Sequence, residues 1–177
     1  MNIEEVFSQI ITDLQANKRP LIKLTEQDLD TLASAWHDII ESKNWKGLFK
    51  ILCILDNTVT LSPKFFDQIN TTLRECDDEE IMVLTLGAAR KHIIDENHKR
   101  GERVKMEFIK TLKALLSHGS PEVLEWTLRL IEGLGSQSII LKEDVLAAKP
   151  GFMAIFNEHK KATKQIIELL EKKWTRK

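Results

Sequence analysis

The sequence predicts an all-α fold, a helical-hairpin solenoid of about three helix pairs with terminal capping helices. Two observations carry the helical class. Apolar residues recur at spacings of three and four over most of the chain, and the two-residue alternation of half-buried strands is almost absent. Seven Gly and four Pro in 177 residues are too few for an all-β design with a turn every ten residues. At 42% hydrophobic and 30% charged residues, the chain can bury a sizeable core without disulfides or metal staples.

The elements follow in order. Ile3, Val6, Phe7, Ile10, Ile11 and Leu14 form a first amphipathic stripe, which Asn17-Lys18-Arg19-Pro20 interrupts. Thr25 is placed as an N-cap for a helix carrying Leu29, Leu32, Ala33, Trp36, Ile39 and Ile40. A helix from about Asn44 to Leu55 follows, with Trp45, Leu48, Phe49, Leu52 and Leu55 on its apolar side. Ser62-Pro63 combines an N-cap with proline at the first helical position, where its missing N–H is not needed, and the helix runs to about Cys76. Asp77, Asp78, Glu79 and Glu80 set negative charge at the positive end of the next helix. Glu102 to Leu116 is another helical stretch; Ser120-Pro121 repeats the cap-plus-proline start, and Gly133 and Gly135 end that helix. A short segment from Lys142 to Ala148 precedes Pro150. The last helix, from about Gly151 to Trp174, carries Phe152, Ile155, Phe156, Ile166, Leu169 and Leu170.

The second helices of three successive hairpins share a pattern: Asn44-Trp45-Lys46-Gly47-Leu48, Glu80-Ile81-Met82-Val83-Leu84 and Glu122-Val123-Leu124-Glu125-Trp126. Aligning Trp45, Ile81 and Val123 gives offsets of 36 and 42 residues, in the range of two-helix repeats. The hairpin from Leu112 to Ile131, with its Ser120-Pro121-Glu122-Val123 start, resembles a HEAT repeat, and Leu73 to Ala89 is a weaker match. Leu124 and Met82 stand where HEAT repeats commonly carry Arg. The resemblance, to HEAT- or armadillo-like proteins, covers roughly residues 25–135. It divides a single domain of 1–177 into an N-terminal capping helix and linker (1–24), hairpin repeats (25–135) and C-terminal capping helices (136–177).

Charge is unevenly spread. Residues 1–88 hold 8 basic and 15 acidic side chains, and residues 89–177 hold 18 and 12, so a net charge of −1 conceals two opposed halves. The start, Met1-Asn2-Ile3-Glu4-Glu5, lacks the basic and apolar regions of a signal peptide, and no apolar run approaches a bilayer span, which sets a cytoplasmic expectation. Cys53 and Cys76 are unclustered and read as inert thiols.

Motifs for catalysis, phosphate cradling and zinc are absent from the sequence, and no cofactor is expected. His92, Asp95, Glu96 and His98 are close in sequence, but a metal site needs ligands converging from other segments. Trp36 and Trp45 lie on apolar stripes and read as core. Trp174, near a charged C-terminus, is expected to lie over the last helix or to be partly disordered. Trp126 flanks a polar side marked by Glu122, Glu125, Arg129 and Glu132. The resemblance implies that the second helix of each hairpin lines a concave surface. It therefore nominates Trp126, Arg129 and Glu125, with Arg90, Lys46 and Lys50 on the earlier equivalents, for a protein partner. A basic segment from 90 to 113 holds eight basic and four acidic residues, with Lys99, Arg100, Arg103 and Lys105 as its candidate patch. Phosphates, an acidic protein or an anionic membrane would all suit such a patch. The leading expectation is a non-enzymatic protein-interaction or scaffold module. The alternatives are a nucleic-acid binder akin to HEAT-like DNA glycosylases and a self-associating structural protein.

Overall fold

Asn2 opens the first helix because its side-chain oxygen accepts the Glu4 amide at 3.1 Å, satisfying a donor that no helical carbonyl can reach. A computed structural model of the chain describes residues 1–151 and 157–175. Among the described residues the regular structure is helical, with one isolated parallel bridge between Ile22 and Thr58. None of the described helices is long and apolar enough to cross a membrane. The chain divides into two units, Met1–Arg100 and Gly101–Lys177.

In the first unit, α1 (Ile3–Gln15) ends where Asn17 takes a positive φ of 54°, as its Asn-Lys-Arg-Pro sequence predicts. α2 (Glu26–Ser42) starts on a reciprocal capping box between Thr25 and Asp28. Thr25's hydroxyl and amide hold the Asp28 carboxyl below its ordinary range. The predicted helix from Asn44 begins instead as a 3-10 turn, Trp45–Gly47, and becomes α-helical as α3 (Leu48–Asp56). Space at Gly47 is tight: a Cβ would approach Ile39 Cδ1 to 3.3 Å, so that side chain would have to shift by a few tenths of an ångström. Ser62 caps as expected, through Lys64 N, onto a 3-10 turn, Pro63–Phe65, that leads into α4 (Phe66–Glu75). Of the four consecutive carboxylates, Asp78 is the cap of α5 (Glu79–Ala89), accepting the Ile81 amide at 3.2 Å, and Glu79 and Glu80 occupy the first turn. α5 continues into a π-helical stretch, Arg90–Asp95, and then α6 (Glu96–Arg100).

α1 packs on α3, α2 on both α3 and α4, and α5 on α3 and α4. Trp36 anchors this core, wholly buried, with its indole N–H donating to Thr72 Oγ1 at 2.9 Å and its ring 6.0 Å from that of Phe65. Hydrogen bonds tie positions 36 apart along the unit: Leu24 N to Thr60 Oγ1, Thr58 Oγ1 to the Ile22 carbonyl, and Lys91 Nζ to the Leu55 carbonyl. Trp45 is only half-buried, and Phe49 is exposed on one side while its other side meets Phe7 edge-on at 6.0 Å.

In the second unit, α7 runs over Met106–Leu115, α8 over Pro121–Gly133, a 3-10 segment over Gly135–Leu141, α9 over Lys142–Ala147 and α10 over Glu158–Thr175. The helix expected from Glu102 starts four residues later for a tertiary reason. Gln137's side-chain amide bonds both the N–H of Val104 (2.9 Å) and its carbonyl (3.0 Å), holding residues 102–105 outside the helix. Pro121 opens α8 as predicted, but Ser120 makes no side-chain cap; its own amide donates to His118 Nδ1 at 3.1 Å. Gly135, at φ 60°, turns the chain out of α8. Of the residues expected on the last helix, Phe152, Ile155 and Phe156 lie outside the described residues. Ile166, Ile167 and Leu170 are buried, whereas Leu169 faces solvent. α10 packs chiefly on α8, and α7 packs on the same helix.

Candidate functional site

α8 buries Val123, Thr127, Leu128, Leu130 and Ile131, which leaves Glu122, Trp126 and Arg129 toward its outer side. Glu125 sits between those faces, buried to all but 7%, and a carboxylate so placed needs partners for both oxygens. It has them. Oε1 accepts from Arg129 Nε at 2.9 Å and from its terminal NH2 at 2.5 Å, one helical turn away. Oε2 lies 2.8 Å from Nδ1 of His159, in the first turn of α10. The second imidazole nitrogen is 4.0 Å from Glu122 Oε2.

The pinned guanidinium lies over the indole of half-buried Trp126, 5.7 Å from the ring centroid. Further along the same helix pair, Lys173 reaches Glu132 at 2.7 Å. Trp174 lies half-buried against this unit, donating its indole N–H to Ser138 Oγ at 2.9 Å. The sequence-nominated Trp126, Arg129 and Glu125 thus form one cluster. His159 escaped the sequence reading because it belongs to a helix read as a cap. No local motif marks it, because it follows Glu125 by 34 positions and meets it only through the packing of α10 on α8.

The other nominated residues lie in the first unit or divide between the units. Arg90 pairs with Asp95 at 3.1 Å. Lys50 pairs with Glu4 at 2.5 Å, its ammonium 5.9 Å from the Phe7 ring centroid. Exposed Lys46 shares with Lys50 a groove of about 370 Å³ floored by Ile3, Ala35, Ile39 and Ile51. Of the basic patch, Lys99 and Arg100 belong to α6, where Arg100 pairs with Glu96 at 3.0 Å. Arg103 and Lys105 belong to the extended lead into α7 in the second unit.

The His92-Asp95-Glu96-His98 group does not converge. The π turn drives His92 into the core, where it accepts the Ser62 amide at 3.2 Å and meets the Phe65 ring edge-on at 5.1 Å. Asp95 is taken by Arg90, Glu96 is buried against Arg100, and His98 is exposed. Among the described residues no three metal-ligating side chains gather. Burial raises both thiol pKa values, so Cys53 and Cys76 resist ionisation.

With Glu125 saturated, its carboxylate positions other groups: it fixes the plane of the Arg129 guanidinium and the ring of His159. The groups left toward solvent are an indole face, a guanidinium edge and an imidazole, all held in place. The chain matches no protein-family model, no curated protein and no solved structure.

Proposed function

We propose that this protein is a non-enzymatic interaction module that binds another protein through the outer side of α8, centred on Trp126 and Arg129. The observation that carries the reading is the chain of contacts His159–Glu125–Arg129–Trp126, which holds an aromatic–guanidinium pair at the surface. Trp and Arg dominate binding hot spots, and side chains already ordered lose less entropy on binding. The reading of the helices as stacked HEAT-like hairpins is supported by the packing of α2 on α4 and α3 on α5, and by hydrogen bonds between positions 36 apart.

The test is quantitative capture from lysate of the native source with the full chain, Trp126→Ala and Arg129→Glu, followed by titration with the purified partner. Loss of one hot-spot side chain costs about 2 kcal/mol, or roughly 30-fold in affinity. Trp126→Ala should therefore lose the partner while keeping the wild-type circular dichroism spectrum, whereas Arg129→Glu, which also strips buried Glu125 of its cation, should lose the partner and lower the melting temperature. Equal recovery by wild type and both variants would refute the assignment of this surface.

A further inference from the structure

Eight large hydrophobic side chains are exposed among the described residues, and three of them meet at one place: Met106 (49% exposed), Ile139 (48%) and Ile140 (49%). With Arg103 and Ser136 they line a groove of about 460 Å³ in the second unit. Its floor is preformed. The double hydrogen bond between Gln137 and the backbone of Val104 joins its two walls, and Gly135 sets the turn that presents the 3-10 segment. Leaving two consecutive isoleucines and a methionine half in water is costly by the area they expose, and Met adapts readily to a partner's shape.

The charges flanking this groove along the chain decide what covers it. Arg103, Lys105 and Lys142 are balanced by Glu102, Glu107 and Glu143. An anionic membrane or an acidic protein would find no cationic excess there, whereas a surface carrying both signs is complementary to itself. Arg103 and Glu143 are both exposed and neither has a partner among the described residues, so each is open to the other across a two-fold axis. We propose that the Met106–Ile139–Ile140 groove is a self-association surface at which two copies of this chain meet isologously, Arg103 of each facing Glu143 of the other. The proposal is independent of the Trp126 surface.

Sedimentation equilibrium of the full chain tests it between about 5 and 500 µM in low salt. The average mass should rise from 20.4 kDa toward twice that value. A patch smaller than a standard interface gives a half-point on the order of 10–100 µM. Ile139→Asp should move that point at least tenfold upward, and Trp126→Ala should leave it unchanged. Arg103→Glu and Glu143→Arg should each weaken association, and the combined variant should restore it, because the reciprocal pairs are re-formed with reversed sign. Ile139, Arg103 and Glu143 are exposed, so circular dichroism of their variants should stay at wild type. A constant monomer mass up to 500 µM overturns the proposal, as does association indifferent to Ile139→Asp or a combined variant weaker than either single one. Binding of the wild type, and not Ile139→Asp, to vesicles of 30% phosphatidylserine in phosphatidylcholine would assign the groove to lipid and overturn it too.

Discussion

His92 makes the stability of the first unit depend on pH in a way that one substitution isolates. The ring is 1% exposed, and burial, with the neighbouring Lys91 ammonium adding to it, pushes its pKa from 6.5 down to about 4. Nδ1 accepts the Ser62 amide, so the neutral ring carries its proton on the buried Nε2, on the side of the Leu55 carbonyl, whose favourable pull on a ring proton offsets the cost of burial only in part. Because the folded pKa is depressed, the unfolded chain takes up the proton first. The contribution is therefore complete above pH 6.5, declines as pH falls, and is gone once the folded ring also protonates near pH 4. Each pH unit in that window is 1.36 kcal/mol, so the full loss is about 3 kcal/mol, a large part of the ~5–15 kcal/mol that holds a domain together. Carboxylates titrate in the lower part of the same range, and the comparison with His92→Gln removes them. Gln can still accept the Ser62 amide but does not ionise. Urea unfolding at pH 7.5 and 4.5 should show the wild type losing about 2.5 kcal/mol more than His92→Gln, a shift of ~1–2 M in their relative midpoints. A stability gap between the two proteins that stays constant within ~0.5 kcal/mol would refute the buried neutral imidazole.

Three further outcomes follow from the fold. Trp36→Phe deletes the indole donor to Thr72 in a fully buried site and should cost about 2 kcal/mol, lowering Tm by ~4–8 °C in a thermal melt; an unchanged Tm would show that the hydrogen bond contributes nothing. Thr25→Ala breaks the capping box of α2 and should destabilise by about 1 kcal/mol in urea titrations. Gln137→Ala frees both polar groups of Val104, and hydrogen exchange at the Val104 amide should accelerate by about tenfold or more while amides in the middle of α8 keep their rates.

Much of the helical layout was legible because it rests on local chemistry. Asn17, Thr25, Ser62-Pro63, Asp78, Pro121 and Gly135 stop or start helices through their own φ preferences, missing donors or side-chain oxygens, and the neighbours that matter lie within four residues. Trp126, Arg129 and Glu125 were legible for the same reason: positions one turn apart on one helix must meet. The misplacements each have a distant cause. Glu102 does not start α7 because Gln137, 33 residues from Val104, claims the backbone there. His92 does not join its neighbours in a polar cluster because the π turn rotates it toward Ser62 and Phe65. Leu169 lies outside the stripe that α10 buries on α8, a stripe whose breadth is set by the facing helix.

By itself, then, the sequence determined the helical class, most helix ends and the local face on which Trp126 and Arg129 stand, since periodicity and capping act within a turn or two. Tertiary structure alone decided that His159 completes that face, that Glu125 is saturated, and that Met106 meets Ile139 and Ile140 in one groove. Those juxtapositions join residues more than 30 positions apart, and side chains that distant are brought together only when helices pack and buried polar groups find partners.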